Sequence, residues 1–254
     1  MIQERIEDGI IIATFDNGKA NTITLETLRQ LKSVVAKANS DDSILGIVLT
    51  GEGRAFSSGF DLPMFLDFKD LDEVVEFFNE EEEILLDLFM CKKPVVSAIN
   101  GAAVAGGLIT AMASDYRIIK NHPKVVTGMS EIKIGLGLSI AQTEILRFSF
   151  DSNKLFQDVM YWGKIVNAET AHSMGFIEEL AEEDTLLPRA KEVVTQWSSG
   201  PGEAFSMLKE SIRQPAAMLI RDRLKNENWQ EKFNIFFDPG TRQALEMVQA
   251  MMSK

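Results

Sequence analysis

Cysteine and histidine are scarce in this sequence of 254 residues, which contains one cysteine, Cys91, and two histidines, His122 and His172. A single cysteine excludes both an internal disulfide and a cysteine-rich metal site. The two histidines do not have the spacing of metal ligands, so no metal site is predicted. Catalytic groups must therefore be sought among carboxylates and main-chain amides.

Long apolar runs and positive charge are lacking as well. No stretch approaches the roughly 18 apolar residues of a membrane-spanning helix, and the first residues, MIQERIEDG, lack the apolar core of a signal peptide. Lys and Arg number 26 against 38 Asp and Glu, a net charge of −12. Nucleic acids and anionic membranes are bound mainly through Lys and Arg, and both are therefore disfavoured as partners. We expect a cytoplasmic protein that acts on a small molecule.

Strand-like and helix-like segments alternate through most of the chain, which favours an α/β fold with covered sheets. After about residue 184 only helices are predicted, and we interpret them as an appendage that packs on the core or on a neighbouring subunit. The predicted strands are Ile10 to Phe15, Leu45 to Thr50, Val95 to Ile99, Tyr116 to Ile119 and Val125 to Thr127. The predicted helices are Thr24 to Asn39, Leu71 to Met90, Thr185 to Trp197, Glu203 to Arg213, Pro215 to Phe237 and Thr241 to Met252.

The most informative segment leads from an apolar strand into a pair of glycines, Gly106 and Gly107, that open an apolar helix. Amides at the start of a helix are unpaired, and the helix dipole adds positive charge there. The Gly106 amide could thus hold an oxyanion, and the Phe60 amide, which follows another strand, could be a second donor. Glu131 lies downstream among mostly apolar residues, which would raise the pKa of its carboxyl and suit a base.

Common catalytic motifs are absent. Gly101 and Gly106 have the spacing of a phosphate-binding loop, but Gly107 and Leu108 replace the Lys and Ser/Thr that the loop requires. The Gly-x-Gly sequences at 51–53 and 135–137 lack the third glycine of a dinucleotide fingerprint, and no G-x-S-x-G elbow occurs. These gaps leave the oxyanion site with a carboxylate base as the candidate chemistry.

Several motifs in order resemble the crotonase superfamily, the enoyl-CoA hydratase/isomerase family. They are AFSSGFDL (55–62), KKPVVSAINGAAVAGG (92–107), SDYRI (114–118), the pair Glu131-x3-Gly135, and the later element AETA followed by MGFI (168–177). The resemblance covers most of residues 1–180. It implies an α/β spiral of repeated ββα units over residues 1–199, followed by a helical trimerisation region over residues 200–254.

The resemblance also implies the roles of individual residues. The amides of Phe60 and Gly106 would hold the thioester carbonyl of an acyl-CoA while an enolate forms, and Glu131 would be the catalytic acid and base. No cofactor is expected beyond the coenzyme A of the substrate. The protein is expected to form a homotrimer or a hexamer of two trimers. Substrate-binding residues would be Ser58, Gly59, Phe60, Asp61, Leu62 and Gly106.

One position departs from the hydratase pattern. Hydratases of the family carry two glutamates, and the first corresponds here to Ile109, which cannot activate water. A single carboxylate is enough to move a double bond, because it can remove a proton at C2 and return it at C4. Together with the AGG and DYRI motifs, this favours the Δ3,Δ2-enoyl-CoA isomerases, enzymes of fatty acid β-oxidation. A hydratase, an acyl-CoA hydrolase and a non-catalytic CoA-binding relative stay open as alternatives.

Three further interpretations concern residues near the predicted site. The acidic run Glu80 to Glu83 is interpreted as a solvated helix face, although Glu81 or Glu82 could enter the acyl pocket because they interrupt the apolar stripe. Asp61 is expected to cap or order its loop. Cys91 is expected to be a small buried hydrophobic residue.

Overall fold

Two β-sheets organise the computed structural model, which describes residues 1–252. The larger sheet has the strand order β1-β2-β3-β5-β7-β10, and the smaller has the order β4-β6-β8-β9. Pairing is antiparallel for β1 with β2 and for β8 with β9, and parallel elsewhere. The strands are β1 Ile2–Glu7, β2 Ile10–Phe15, β3 Gly46–Gly51, β4 Ala55–Ser57, β5 Val95–Ile99, β6 Ala102–Val104, β7 Tyr116–Lys120, β8 Val126–Gly128, β9 Ile165–Asn167 and β10 Glu179–Ala181.

The strands of the two sheets alternate along the chain and are followed by helices. In three successive pairs, the first strand lies in the larger sheet and the second in the smaller. The pairs are β3 and β4, β5 and β6, and β7 and β8. This is the predicted spiral of ββα units, which the structure confirms. The helices are α1 Leu25–Ser40, α2 Leu62–Asp67, α3 Leu71–Phe89, α4 Gly106–Met112, α5 Ile140–Ser149, α6 Asn153–Trp162, α7 Ala168–Ser173, α8 Glu183–Ser198, α9 Ala204–Asn226 and α10 Pro239–Met252, with 3₁₀ helices at Glu131–Ile134 and Gln230–Phe237.

The inner strands of the larger sheet are covered on both faces, which explains their continuous apolar sequences, whereas the edge strand β1 is mostly exposed. Successive side chains of a strand point to opposite faces, so Ile10 and Ile12 of β2 pack on α8, while Ile11 and Ala13 face the main core. Every residue of β2 is buried. The burial of whole strands is what made these segments recognisable in the sequence.

Several predicted elements are confirmed and others were missed. Strands β2 and β5 have the predicted ends, and Thr24 caps α1 by accepting the amide of Thr27. The short strands β4 and β6 were missed because each has three residues, too few to show an apolar alternation. Residues 253 and 254, the end of the predicted C-terminal region, lie outside the described residues.

The predicted helix break at Pro215 is wrong. Helix α9 runs unbroken from Ala204 to Asn226 with Pro215 inside it, and a 3₁₀ helix replaces the predicted helical stretch near residue 230. Proline removes one helical hydrogen bond, but buried contacts on both sides of it hold the helix on the core. Lys209 and Arg213 lie before it, and Ala217 and Ile220 after it.

Lys209 and Arg213 belong to a buried ion-pair network. Asp115 directly precedes β7 and pairs with Lys209 at 2.7 Å and with Arg213 at 3.0 Å. Arg213 also donates to the carbonyls of Phe89, Ala113 and Ser114, and its guanidinium stacks on the Phe89 ring. Helix α9 is thereby fixed to the spiral core. Cys91, as expected, is fully buried.

Candidate active site

The loop after β4 and the turn before α4 lie side by side because β4 and β6 pair in parallel. A Cβ atom added at Gly106 would be 3.3 Å from the amide nitrogen of Phe60. One added at Gly107 would be 2.1 Å from the carbonyl oxygen of Ser57, so no side chain fits there. The two glycines let the main chains approach closely, which brings the amides of Phe60 and Gly106 near each other.

Both of these amides are free to bind a ligand. Within residues 1–252, neither the Phe60 N–H nor the Gly106 N–H donates to a protein acceptor. Their neighbours are paired: Ala105 donates to the Gly128 carbonyl at 3.0 Å and Asp61 to the Ile23 carbonyl at 3.0 Å. The two amides without a protein acceptor can therefore donate to the oxygen of a polarised carbonyl.

The turn before Gly106 holds backbone strain. Ala105 has φ of 54° and ψ of −129°, a region that residues with a Cβ rarely adopt. Such a conformation costs on the order of 1–3 kcal/mol and persists only where the surrounding structure enforces it. Here the enforcing contacts are the Ala105–Gly128 hydrogen bond and the close fit of Gly59, whose added Cβ would be 2.9 Å from that of Ala105.

Glu131 begins the 3₁₀ helix that follows β8, and its side chain is partly buried. Its carboxylate accepts a hydrogen bond of 2.8 Å from the amide of Ser130. Burial outweighs this hydrogen bond and raises the pKa of Glu131 to about 6. A carboxyl that titrates close to neutrality can both take up and release a proton during turnover.

An apolar cavity of about 290 Å³ joins these groups. Phe60 and Ala105 line it on one side and Glu131 on another, and Ile109 forms part of its wall. Of the remaining predicted binding residues, Ser58 and Leu62 line the cavity, whereas Gly59 and Gly106 are not among its lining residues. Asp61 does not line it either and caps α2 by accepting the amide of Met64. The other lining residues are Phe65, Phe78, Val104, Ser130, Ile134, Leu136, Gly137, Gln142, Phe236 and Val248.

The interpretation of the acidic run as a solvated face is wrong for its two central residues. Glu81 and Glu82 of α3 are 0% and 1% exposed. Glu82 accepts the amides of Ile140 and Ala141 at the start of α5, at 2.7 and 2.5 Å. Neither carboxyl lines the cavity; the partner of Glu81, Gln142, does. Burial raises the pKa of Glu82 to about 7, and the two amides at the helix N-terminus oppose this rise by favouring the ionised carboxylate. The sequence does not show this contact, because it joins distant segments.

Gln142 is a lining residue that the sequence analysis missed. It belongs to a capping box with Ser139, in which the Ser139 side chain accepts the Gln142 amide and the Gln142 side chain accepts the Ser139 amide. Ser followed three residues later by Gln is a recognisable sign of a helix start. That sign would have located α5, although not its contact with the cavity.

Comparison with known proteins agrees with this geometry. Residues 5–239 match the sequence model of the family described as enoyl-CoA hydratase/isomerase. The chain is 27% identical over 232 residues to the rat protein named enoyl-CoA delta isomerase 1, mitochondrial, covering 88% of this chain and 77% of the relative. The chain belongs to the enoyl-CoA hydratase/isomerase family.

Solved structures share the fold. The human mitochondrial delta3-delta2-enoyl-CoA isomerase superposes with a TM-score of 0.91 at 22% identity, over 99% of this chain and 98% of the other. An enoyl-CoA hydratase from Bacillus halodurans gives 0.85 at 23% identity, over 97% and 99% of the two chains. Isomerases and hydratases thus have the same fold, so the fold alone does not distinguish the two reactions.

No helix within residues 1–252 is both long enough and apolar enough to cross a membrane. The rat relative is mitochondrial by name. A cytoplasmic location for this chain stays a prediction.

Proposed function

We propose that this enzyme converts 3-enoyl-CoA to 2-trans-enoyl-CoA. The observation that carries the proposal is a cavity lined by Phe60, Glu131 and Ile109, next to the unpaired amides of Phe60 and Gly106. By the family resemblance, Ile109 stands where hydratases carry their other glutamate. Ile109 is 1% exposed and lines the cavity wall, so it offers no group that could hold or activate water. The name of the rat relative supports the same reaction.

In the proposed reaction, the thioester oxygen accepts hydrogen bonds from the amides of Phe60 and Gly106. The Glu131 carboxylate removes a proton from C2, and the electron pair moves through the C3–C4 double bond and the carbonyl as a dienolate. The protonated Glu131 then delivers the same proton to C4, leaving the double bond between C2 and C3. The pKa of about 6 suits both steps. No co-reactant or further cofactor is consumed.

The decisive experiment offers the purified protein 3-enoyl-CoA and 2-enoyl-CoA thioesters in parallel. We expect isomerisation of the first and little hydration of the second. Glu131→Gln should abolish isomerisation but leave CoA binding intact, whereas Glu169→Gln, a change at an exposed position on α7, should have no effect. Unchanged turnover in Glu131→Gln would overturn the mechanism. Hydration or thioester hydrolysis as the main reaction would overturn the proposed reaction.

Self-association into a trimer or hexamer is part of the same proposal. Large apolar side chains are exposed on α6 and α9, including Trp162 at 72%, Met207 at 67% and Ile212 at 62%. Contiguous exposed apolar surface marks interaction sites, and burial of these side chains between subunits would remove them from water. Sedimentation at micromolar concentration should show a trimer or a multiple of three, and a monomer would contradict the proposal.

A further inference from the structure

One polar side chain stands apart in the wall of the cavity. Gln142 is 3% exposed and lies on α5, whereas Ser58, Ser130 and Glu131, the other polar lining residues, belong to the segments that form the reactive end. Near Gln142, the neighbouring helix α3 contributes Phe78, an apolar lining residue one turn before Glu81. Gln142 therefore brings hydrogen-bonding atoms to a part of the wall that is otherwise apolar.

The orientation of this amide is set from both sides. The Ser139 N–H can only donate, so the oxygen of Gln142 must face it, at 3.1 Å. The nitrogen of Gln142 then faces Glu81 and donates to its carboxyl at 2.9 Å. One N–H and one lone pair of the Gln142 amide are left without a protein partner in the described part of the chain.

Behind Gln142, buried carboxyls hold it in place at an energetic cost. Burying two neighbouring carboxyl groups is unfavourable unless each is hydrogen-bonded. Glu82 is satisfied by the start of α5, and Glu81 by Gln142 and more weakly by Ser139 at 3.4 Å. Burial and the adjacent Glu82 raise the pKa of Glu81 well above its usual range, and the hydrogen bond between Glu81 and Gln142 fixes the nitrogen side of the amide.

We propose that Gln142 is a specificity-determining residue whose free N–H donates to a hydroxyl oxygen on the acyl chain, so that the site prefers hydroxylated acyl-CoA thioesters to plain hydrocarbon ones. A hydroxyl matches both free positions, since it can accept the N–H and donate to the lone pair. A hydrocarbon chain would leave the N–H and the lone pair of Gln142 without a hydrogen-bond partner, which costs binding energy. This inference rests on the proposed function for the thioester alone, not for the double-bond step.

The test measures binding, so it does not depend on turnover. Titration calorimetry compares octanoyl-CoA with a series of monohydroxy-octanoyl-CoA isomers that carry the hydroxyl at successive carbons from C4. We expect one isomer to bind about tenfold more tightly than octanoyl-CoA, as one additional buried hydrogen bond provides. If no isomer binds more than threefold more tightly, the proposal is overturned without any variant.

Variants test whether Gln142 causes the preference for a hydroxylated acyl chain. Gln142→Met keeps the approximate length and volume of the side chain and removes both polar atoms, so the preference should vanish while octanoyl-CoA binds at least as well. Gln243→Met, at an exposed position on α10, is the matched control and should keep the preference. If Gln142→Met does not fold, Gln142→Asn, which withdraws the amide by one methylene, should also abolish the preference. A preference that persists in the folded variant overturns the assignment. Binding of octanoyl-CoA without isomerase activity would count against the proposed function only.

Discussion

Replacing Gly106 with alanine tests the oxyanion site with the smallest possible change. The added Cβ would be 3.1 Å from two ring atoms of Phe60 and 3.3 Å from its amide nitrogen, closer than ordinary contact. The Phe60 ring is held by Phe65 and Phe77, at centroid distances of 5.5 and 5.6 Å, and cannot move away freely. The methyl group should therefore push the Phe60 amide and the substrate oxygen apart.

The expected loss of kcat follows from the number of hydrogen-bond donors that the substitution affects. Complete removal of one oxyanion donor costs about 2.7–4 kcal/mol of transition-state stabilisation, or a factor of about 10² to 10³ in kcat, and displacement of the Phe60 amide should approach this loss. Folding should not suffer to the same degree. Gly106 opens α4 without a positive φ, and alanine is a better helix former than glycine.

The assay is isomerisation of 3-enoyl-CoA, with urea unfolding of each variant as a measure of stability. Gly200→Ala, where an added Cβ meets nothing within 4 Å, should match the wild type in both. Gly107→Ala should unfold the protein or destabilise it strongly, because its Cβ would be 2.1 Å from a main-chain oxygen. A folded Gly106→Ala enzyme that keeps its kcat within threefold would refute the oxyanion role.

Three further predictions each concern one side chain. Because burial raises the pKa of Glu131 to about 6 and the base must be ionised, kcat/KM should fall about tenfold per unit as the pH drops below about 6, and should level off above about 7. Ile109→Glu places a second carboxyl in the cavity wall and should produce measurable hydration of 2-enoyl-CoA. Asp115→Asn leaves Lys209 and Arg213 buried without a counter-charge and should lower the free energy of unfolding by about 3–5 kcal/mol, measured with urea.

Each of these outcomes can be contradicted directly. An unchanged kcat/KM down to pH 5 would mean that Glu131 titrates near its ordinary value or is not the base. No hydration by a folded Ile109→Glu enzyme would mean that other wall residues also decide the reaction. Stability within 1 kcal/mol of the wild type in Asp115→Asn would show that the network does not fix α9.

Features that depend on neighbouring residues were predictable from the sequence. The β-branched run of β5, the Thr24 cap of α1 and the glycine pair that opens α4 are all local, since backbone sterics and short-range hydrogen bonds decide them. The order of motifs was enough to predict the spiral fold and to single out Phe60, Gly106 and Glu131. In the structure Phe60 and Glu131 line one cavity, and Gly106 lies beside Phe60.

Features that depend on distant segments were decided only by the tertiary structure. Pro215 predicts a helix end, yet contacts of α9 with the core, including those of Arg213, keep the helix continuous. Glu81 and Glu82 predict a solvent-exposed helix face. Both carboxyls are instead buried and accept hydrogen bonds from the start of α5, nearly sixty residues later. A sequence records which groups can form hydrogen bonds, and the fold decides which of them meet, because burial removes water as the alternative partner.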